Sequence, residues 1–124
     1  MKILSVDDSA IIRKIIRNGV ELLDYELLEA GDGMEALAML QQSTANIKLI
    51  LLDWNMPGMD GLDFLRKIKE TPSLKHLPVM MVTTESEKEN IIKAIQAGAI
   101  NYMVKPFSIE ELTKKIIECI GEGV

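Results

Sequence analysis

The sequence predicts an α/β fold in which helices cover a five-stranded parallel sheet. Short β-like runs alternate with helical periodicity five times along the 124 residues, which is the pattern of repeated strand–helix units. The third and fourth runs are almost entirely apolar, as is typical of parallel strands buried on both faces. Because 48% of the residues are hydrophobic and no segment resembles a linker, we expect one domain over residues 1–124.

The predicted strands and helices alternate regularly along the chain. Five runs of β-forming residues predict strands, which cover residues 2–6, 25–30, 47–53, 79–83 and 101–104. A helical segment follows each strand, and the helices cover residues 9–22, 34–42, 62–70, 87–97 and 109–120. Gly98 marks the end of the fourth helix. In the fifth, Ser108 and Glu111 predict a capping box, and the apolar positions repeat at Ile109, Leu112, Ile116 and Ile120.

Composition and charge argue against several classes of function. The 19 acidic residues outnumber the 14 basic ones, and the resulting net charge of −5 disfavours binding to nucleic acid. No apolar segment approaches the roughly 20 residues of a membrane span, and no signal-peptide pattern precedes Asp7. We therefore expect a cytoplasmic protein without membrane contact. One cysteine, Cys119, and one histidine, His76, are too few for an internal disulfide or a structural zinc site.

Charged and polar residues stand where the predicted strands end. Right-handed crossovers bring the carboxyl ends of parallel strands to one edge of the sheet, where ligands of open α/β sheets bind. Asp7 and Asp8 follow the first strand, and Asp53 ends the third. Thr83 ends the fourth strand, and Lys105 follows the fifth. The sequence therefore predicts that these five side chains share one edge.

Three carboxylates at one edge repel each other unless cations neutralise them. Oxygen ligands without imidazole or thiolate select a hard ion, and so few carboxylates suit Mg²⁺, which keeps several waters and favours phosphate oxygens. Lys105 can serve as a second cation towards a phosphoryl oxygen or Asp53, while Thr83 can donate its hydroxyl to another oxygen. Such a set could hold a phosphoryl group on a carboxylate, as an aspartyl phosphate.

Each of these residues also has a structural explanation when it is taken alone. Asp7 and Asp8 could cap the first helix, and residues 53–58 could form a loop of turn-favouring residues. A single threonine or lysine at a strand end is usually solvated. Their joint placement after strands one, three, four and five favours a functional site.

The chain resembles the receiver domains of two-component response regulators over essentially its whole length. The resemblance rests on motifs in the family's order and spacing: VDDS at 6–9 with Arg13, DWNMPGMDG at 53–61, VTTE at 82–85 and YMVKPF at 102–107. ENII at 89–92 and QAGA at 96–99 resemble the single-domain chemotaxis regulators of the CheY type most closely. The resemblance implies a flavodoxin-like (βα)5 three-layer sandwich with strand order 2-1-3-4-5.

The resemblance also implies roles for the strand-end residues. Asp53 would accept the phosphoryl group, and Lys105 would pair with that group and form a cis peptide with Pro106. The implied Mg²⁺ ligands are Asp7, Asp8, Asp53 and the backbone carbonyl of Asn55. Thr84 departs from the pattern, because the CheY-type regulators carry a smaller residue there, and a threonine would narrow access to Asp53.

A switch between the site and a distant surface is a further implication of the resemblance. Thr83 would move to hydrogen-bond the phosphoryl group, and Tyr102 would change between exposed and buried rotamers. The fourth helix, fifth strand and fifth helix would form the surface that binds partners. On it we expect Ile91 and Tyr102 to be at least partly exposed, with Lys115 at the rim.

The resemblance implies a stand-alone response regulator that acts through partners, since no output domain follows the fifth helix. The expected partners are a sensor histidine kinase of the CheA type and a flagellar motor switch or other output protein, and we expect a monomer. We expect a signalling phosphoprotein that catalyses only its own phosphorylation and dephosphorylation. One alternative is a phosphorelay intermediate that passes its phosphoryl group to a histidine phosphotransfer protein.

Two alternatives belong to other classes of protein. An Mg²⁺-dependent aspartyl-phosphate hydrolase would need a carboxylate two residues after the nucleophile, where this chain has Asn55. A flavodoxin-type FMN carrier would need a phosphate-binding loop after the first strand. Asp7 and Asp8 stand there and would repel a phosphate.

Overall fold

The computed structural model describes residues 1–56, 58–84 and 87–121; the motif residues Pro57 and Glu85 lie outside these ranges. Within them the strands are β1 (Lys2–Val6), β2 (Glu26–Ala30), β3 (Ile47–Leu52), β4 (Val79–Thr83) and β5 (Asn101–Val104). The helices are α1 (Ala10–Leu22), α2 (Gly33–Gln42), α3 (Gly61–Glu70), α4 (Lys88–Gln96) and α5 (Ile109–Ile120).

All the strand pairs are parallel, and the sheet order is β2-β1-β3-β4-β5, which confirms the predicted flavodoxin-like topology. β1 lies between β2 and β3, with Val6 in register with Ala30 on one side and Leu52 on the other. At the far edge, Thr83 of β4 is in register with Val104 of β5. The carboxyl ends of the strands are therefore aligned along one edge.

Helices cover both faces of the sheet, as the apolar strands predicted. Successive residues of β3 alternate between two buried clusters, with Ile50 and Leu52 in one and Leu49 and Leu51 in the other. The first cluster also contains residues of α2, α3 and α4, and the second contains residues of α1 and α5. This gives three layers with a core on each side of the sheet.

The element boundaries differ from the predicted ones by one residue at several ends. Ser9 precedes α1 as its N-cap, with its hydroxyl accepting from the Ile12 amide at 3.4 Å. β2 begins at Glu26 because the Tyr25 amide donates to the Val20 carbonyl of α1 instead of to the sheet. The bounds of α5 match the prediction, and its capping box is present. Such a box satisfies free amides of the first turn and favours that start point.

Gly98 comes two residues after the last residue of α4 and has φ +113°, a conformation that few residues other than glycine adopt, so its predicted role in ending this helix is confirmed. None of the helices in the described ranges has the length and apolar character needed to cross a bilayer. His76 lies exposed between α3 and β4. Cys119 is half-buried on α5, and its Sγ lies 3.8 Å from the Met80 Sδ.

Candidate functional site

Three carboxylates meet at the carboxyl edge of the sheet, where β1 and β3 end side by side. The Asp7 amide donates to the Ala30 carbonyl at 3.0 Å, and the Asp53 amide donates to the Val6 carbonyl at 3.0 Å. Each hydrogen bond extends the pairing of strands by one residue and fixes the backbone of the aspartate that follows the strand. One carboxylate oxygen from each of Asp7, Asp8 and Asp53 lies within 4.8 Å of the others.

The three carboxylates differ in exposure. Asp7 is 2% exposed and Asp53 is 6% exposed, whereas Asp8 is open to solvent. The Ser9 amide donates to Asp7 Oδ1 at 2.8 Å, and the Asn55 amide donates to Asp53 Oδ1 at 3.3 Å. The cluster therefore combines two fixed, buried acids with one acid at its mouth.

Lys105 provides the cation that allows two acids to be buried together. Its Nζ lies 2.8 Å from Asp7 Oδ2 and 3.2 Å from Asp53 Oδ2, and its side chain is 10% exposed. The Lys105 amide donates to the Thr83 carbonyl at 2.8 Å, and the Lys105–Pro106 peptide bond is cis. We call Asp7, Asp8, Asp53 and Lys105 the strand-end cluster.

Burial is the main influence on the Asp53 carboxyl, and it raises the pKa of that group above its ordinary value. The positive charge of Lys105 lowers this pKa, whereas the neighbouring charge of Asp7 raises it again. The net shift is upward, so the lysine only partly offsets the cost of burying the charge.

The cluster has the donor set of a hard-cation site. If all its groups are ionised, three carboxylates and one ammonium leave two negative charges in excess. The potential metal ligands are carboxylate oxygens, and no histidine or cysteine of the described residues belongs to the group. This chemistry fits a divalent ion such as Mg²⁺ or Mn²⁺.

An open depression of about 470 Å³ gives access to the cluster. Its lining residues are Asp8, Ser9, Ile11, Ile12, Asp53, Asn55, Thr84, Lys105 and Pro106. Thr84 is exposed in this lining, whereas the preceding residue, Thr83, is completely buried. The depression therefore connects the Asp53 carboxylate with solvent.

The other predicted functional residues lie on α4, β5 and α5, away from the cluster. Ile91 and Tyr102 are half-buried, and Tyr102 packs against the core that includes Ala94 of α4. Lys115 is also half-buried, with its Nζ 3.4 Å from Asn101 Oδ1. We call the surface of α4, β5 and α5 the output face, for the role proposed below.

Two features of the site were not predicted. The closer contact of Lys105 is with Asp7, whereas the sequence suggested a phosphoryl oxygen or Asp53. Arg13, noted only as part of a motif, donates from its Nε to the Asp7 carbonyl at 2.9 Å. A pattern of residue types carries no signal for either contact, because each depends on where a long side chain ends in space.

The sequence model of the response regulator receiver domain matches residues 3–117. The chain belongs to this family. It is similar to the chemotaxis protein CheY of Pseudomonas aeruginosa, with 48% identity over 117 residues that cover 94% of this chain and 93% of that protein. This receiver domain is therefore closely related to CheY chemotaxis proteins.

Solved structures of receiver domains have the same fold. The chemotaxis response regulator CheY4 of Vibrio cholerae is 36% identical, with a TM-score of 0.86 over 95% of this chain and 97% of that one. The Mn²⁺-bound form of response regulator Rcp1 is 33% identical, with a TM-score of 0.81 over 99% of this chain and 96% of that one. These likenesses extend over almost the entire receiver domain.

Proposed function

We propose that this receiver domain is a chemotaxis response regulator that accepts a phosphoryl group on Asp53 and then changes its affinity for a partner. The observation that carries the proposal is the strand-end cluster. A carboxylate 6% exposed lies 3.2 Å from a lysine ammonium and beside two further acids, at the floor of an open depression. This arrangement offers a nucleophile together with charges that can receive a phosphoryl group.

The proposed reaction transfers a phosphoryl group between two side chains. An Asp53 carboxylate oxygen forms a bond to phosphorus as the bond from phosphorus to the donor breaks. With a phosphohistidine donor, the imidazole nitrogen leaves with the electron pair of that bond. Lys105, whose ammonium already lies beside Asp53 Oδ2, would then pair with the new phosphoryl oxygens. Hydrolysis of the acyl phosphate returns the carboxylate.

Mg²⁺ is the proposed cofactor, and Asp7, Asp8, Asp53 and the backbone carbonyl of Asn55 are its proposed ligands. The two excess negative charges of the cluster and its oxygen donors support this assignment. The Mn²⁺-bound form of the related Rcp1 supports a divalent ion in the same fold. When bound, the ion supplies positive charge to the carboxylates and to phosphoryl oxygens.

Thr83 and Tyr102 are the proposed link between the cluster and the output face. Thr83 is the last residue of β4 and is completely buried, and its carbonyl is tied to the Lys105 amide. Tyr102 of β5 is in register with Met81, two residues before Thr83. Movement of Thr83 towards a phosphoryl group would leave space for Tyr102 to follow, and Ile91 and Lys115 would contact the partner.

The proposed partners are a histidine kinase, which supplies the phosphoryl group, and a flagellar motor switch protein, which reads the output face. The relation to CheY proteins supports both. We propose that the protein acts in the cytoplasm as a signalling phosphoprotein, with chemistry limited to its own phosphorylation and dephosphorylation.

A specific observation also favours a second role, as a phosphorelay intermediate. Ile11 is 75% exposed, and with Ile12 it lines the depression beside Asp53. An apolar wall next to the phosphoacceptor suits a protein that must bring a histidine to the same carboxylate. Transfer of radiolabelled phosphoryl from the regulator to a histidine phosphotransfer protein would favour this role over a motor switch.

Mass spectrometry after incubation with acetyl phosphate and Mg²⁺ tests the central proposal. We expect one phosphoryl group on Asp53, no uptake without Mg²⁺, and no uptake by Asp53→Asn. Asp63→Asn, which changes an exposed acid in the first turn of α3, is the matched control and should be phosphorylated normally. Phosphoryl on another residue, or equal uptake by Asp53→Asn, would refute the proposal.

A further inference from the structure

Arg13 connects the loop that carries the acids to a neighbouring loop. Its Nε donates to the Asp7 carbonyl at 2.9 Å, and its terminal Nη2 lies against Gly31, 3.2 Å from the position that a Cβ would occupy there. Gly31 joins β2 to α2, and its amide donates to Glu35 Oε1 at 2.7 Å. One guanidinium therefore spans the loops that follow β1 and β2.

The direction of the Asp7 carbonyl affects the position of the next residue, Asp8. It belongs to the peptide plane that joins Asp7 to Asp8, so its direction sets the backbone from which the Asp8 carboxylate projects. Asp7 is fixed independently by the Ser9 amide and by Lys105. Within the described part of the chain, no hydrogen bond fixes the exposed Asp8 carboxylate.

We infer that Arg13 is a positioning residue, which orients Asp8 towards the cation site through the Asp7–Asp8 peptide. The inference rests on the proposed function, because it concerns the proposed Mg²⁺ ligands. Groups that orient metal ligands without touching the metal typically contribute about 10- to 100-fold to metal affinity.

The sign of the effect separates positioning from electrostatics. Arg13 carries a positive charge close to a site for a cation, so its charge alone weakens Mg²⁺ binding. Removing that charge would therefore tighten binding if electrostatics were the only effect. If Arg13 positions Asp8, its removal weakens binding instead.

Titration of Mg²⁺ against the fluorescence of Trp54, the residue next to Asp53, provides the measurement. We expect Arg13→Gln to raise the Kd by about tenfold or more. Arg17→Gln is the matched control, because it removes the same charge from the same helix, where Arg17 pairs with Glu29 at 2.8 Å. Its Kd should stay unchanged or fall slightly. An unchanged or lowered Kd for Arg13→Gln would overturn the inference.

Two further variants test the donor and guard against loss of the fold. Arg13→Lys keeps a charge and a donor and should recover part of the affinity; a Kd equal to that of Arg13→Gln would count against the donor role. Gly31→Ala keeps Arg13 but crowds its Nη2, so it should raise the Kd by a smaller factor. If Gly31→Ala binds as tightly as wild type, the contact with this loop does not contribute.

Asp8→Asn distinguishes failure of this inference from failure of the proposed function. If Asp8→Asn weakens Mg²⁺ binding and Arg13→Gln does not, the cation site stands and the role of Arg13 is wrong. If the wild-type chain binds no Mg²⁺ and takes no phosphoryl group from acetyl phosphate, both the inference and the proposed function are wrong.

Discussion

The strand-end cluster and the output face occupy the same receiver domain but are held by different kinds of contact. In the cluster, Lys105 binds Asp7 and Asp53, partners 98 and 52 residues away in sequence, at 2.8 and 3.2 Å. On the output face, Asn101 contacts Lys115 and Glu118, only 14 and 17 residues away, at 3.4 Å. The first set joins the ends of separated strands, and the second lies within one strand–helix unit.

The two regions also differ in which side chains are buried. The cluster buries the charged groups of Asp7 and Asp53, whereas on α4 the side chains of Ile92 and Ile95 are 43% and 47% exposed. Buried charges are costly when one partner is removed, while exposed apolar groups contribute little to the stability of the free protein. We therefore expect substitutions in the cluster to change folding as well as phosphorylation, and substitutions on the output face to change mainly partner binding.

Removal of the central cation should have the largest effect on stability. Lys105→Met keeps the approximate length of the side chain but removes the ammonium that pairs with the buried Asp7 and Asp53. We expect the free energy of unfolding without Mg²⁺ to fall by about 3 kcal/mol, measured by urea denaturation. Adding Mg²⁺ should restore part of the loss, because the ion replaces the missing positive charge.

Lys115→Met on the output face is the control for that experiment. Its ammonium contacts Asn101 Oδ1 at a long 3.4 Å, so we expect a change in the free energy of unfolding within about 0.5 kcal/mol. Equal losses from Lys105→Met and Lys115→Met would remove the distinction between the two regions.

Adding a methyl group at Gly61, the first residue of α3, should have the next largest effect on the free energy of unfolding. A Cβ on Gly61 would overlap the Asp53 carbonyl oxygen and lie 2.7 Å from the Trp54 Cα, and both are backbone atoms that cannot rotate away. We expect Gly61→Ala to lower the free energy of unfolding by about 2 kcal/mol and to slow phosphorylation of Asp53. Urea denaturation and acetyl phosphate kinetics measure these two changes.

Gly58→Ala separates backbone strain from this steric overlap. Gly58 has φ +80°, and apart from its chain neighbours no atom of the described residues lies within 4 Å of the Cβ position, so alanine there meets only the cost of the left-handed conformation, about 1 kcal/mol. If the two alanines cost the same, close packing of α3 on residues 53–54 is unimportant.

Neutralising the phosphoacceptor should stabilise the metal-free protein. Asp53→Asn removes a charge that burial and Asp7 disfavour, while Lys105 keeps its closer partner, Asp7. We expect the free energy of unfolding at pH 7 to rise by about 1 kcal/mol, the energy of two like charges about 4 Å apart in water. Urea denaturation without Mg²⁺ measures it, and a lowered value would contradict mutual repulsion in the cluster.

The charge of Asp53 also predicts how the free energy of unfolding depends on pH. Because the pKa of Asp53 is raised in the folded state, folded Asp53 binds its proton more tightly than unfolded Asp53. Its unfavourable contribution is fully present above the folded pKa and is relieved as the pH falls through that pKa towards the ordinary value of 3.8. In Asp53→Asn this relative gain in the free energy of unfolding at low pH should be absent. Glu118→Gln on the output face should retain it.

The smallest effect on stability is expected on the output face. Ile91→Ala removes a half-buried side chain, so the free energy of unfolding should fall by less than about 1 kcal/mol, with Asp53 phosphorylation unchanged. Affinity of the beryllofluoride-treated protein for a flagellar motor switch protein should fall by about tenfold, the effect of about 1.4 kcal/mol. Isothermal titration calorimetry measures it. Unchanged affinity would place the partner elsewhere.

The fold was predictable because its signals are local or periodic. The apolar run Leu49–Ile50–Leu51–Leu52 supplies residues to both cores, as expected for a strand covered on two faces. The start of α5 follows from Ser108 and Glu111, which cap its first turn without help from the rest of the molecule. The prediction failed by one residue at Tyr25, where a hydrogen bond to Val20 of α1 competes with the sheet.

The sequence by itself also determined that Asp7, Asp8, Asp53 and Lys105 meet at one edge, because parallel strands with right-handed crossovers align their carboxyl ends. Only the tertiary structure decided which of those residues are buried and which of them pair with each other. Asp7 is buried and Asp8 exposed although they are neighbours, and Lys105 reaches Asp7 from a strand three positions away in the sheet. The reach of Lys105 and the anchoring of the Asp7 carbonyl by Arg13 depend on distances across the sheet and between loops. Such distances are set by packing of the whole chain, and no local pattern of residues encodes them.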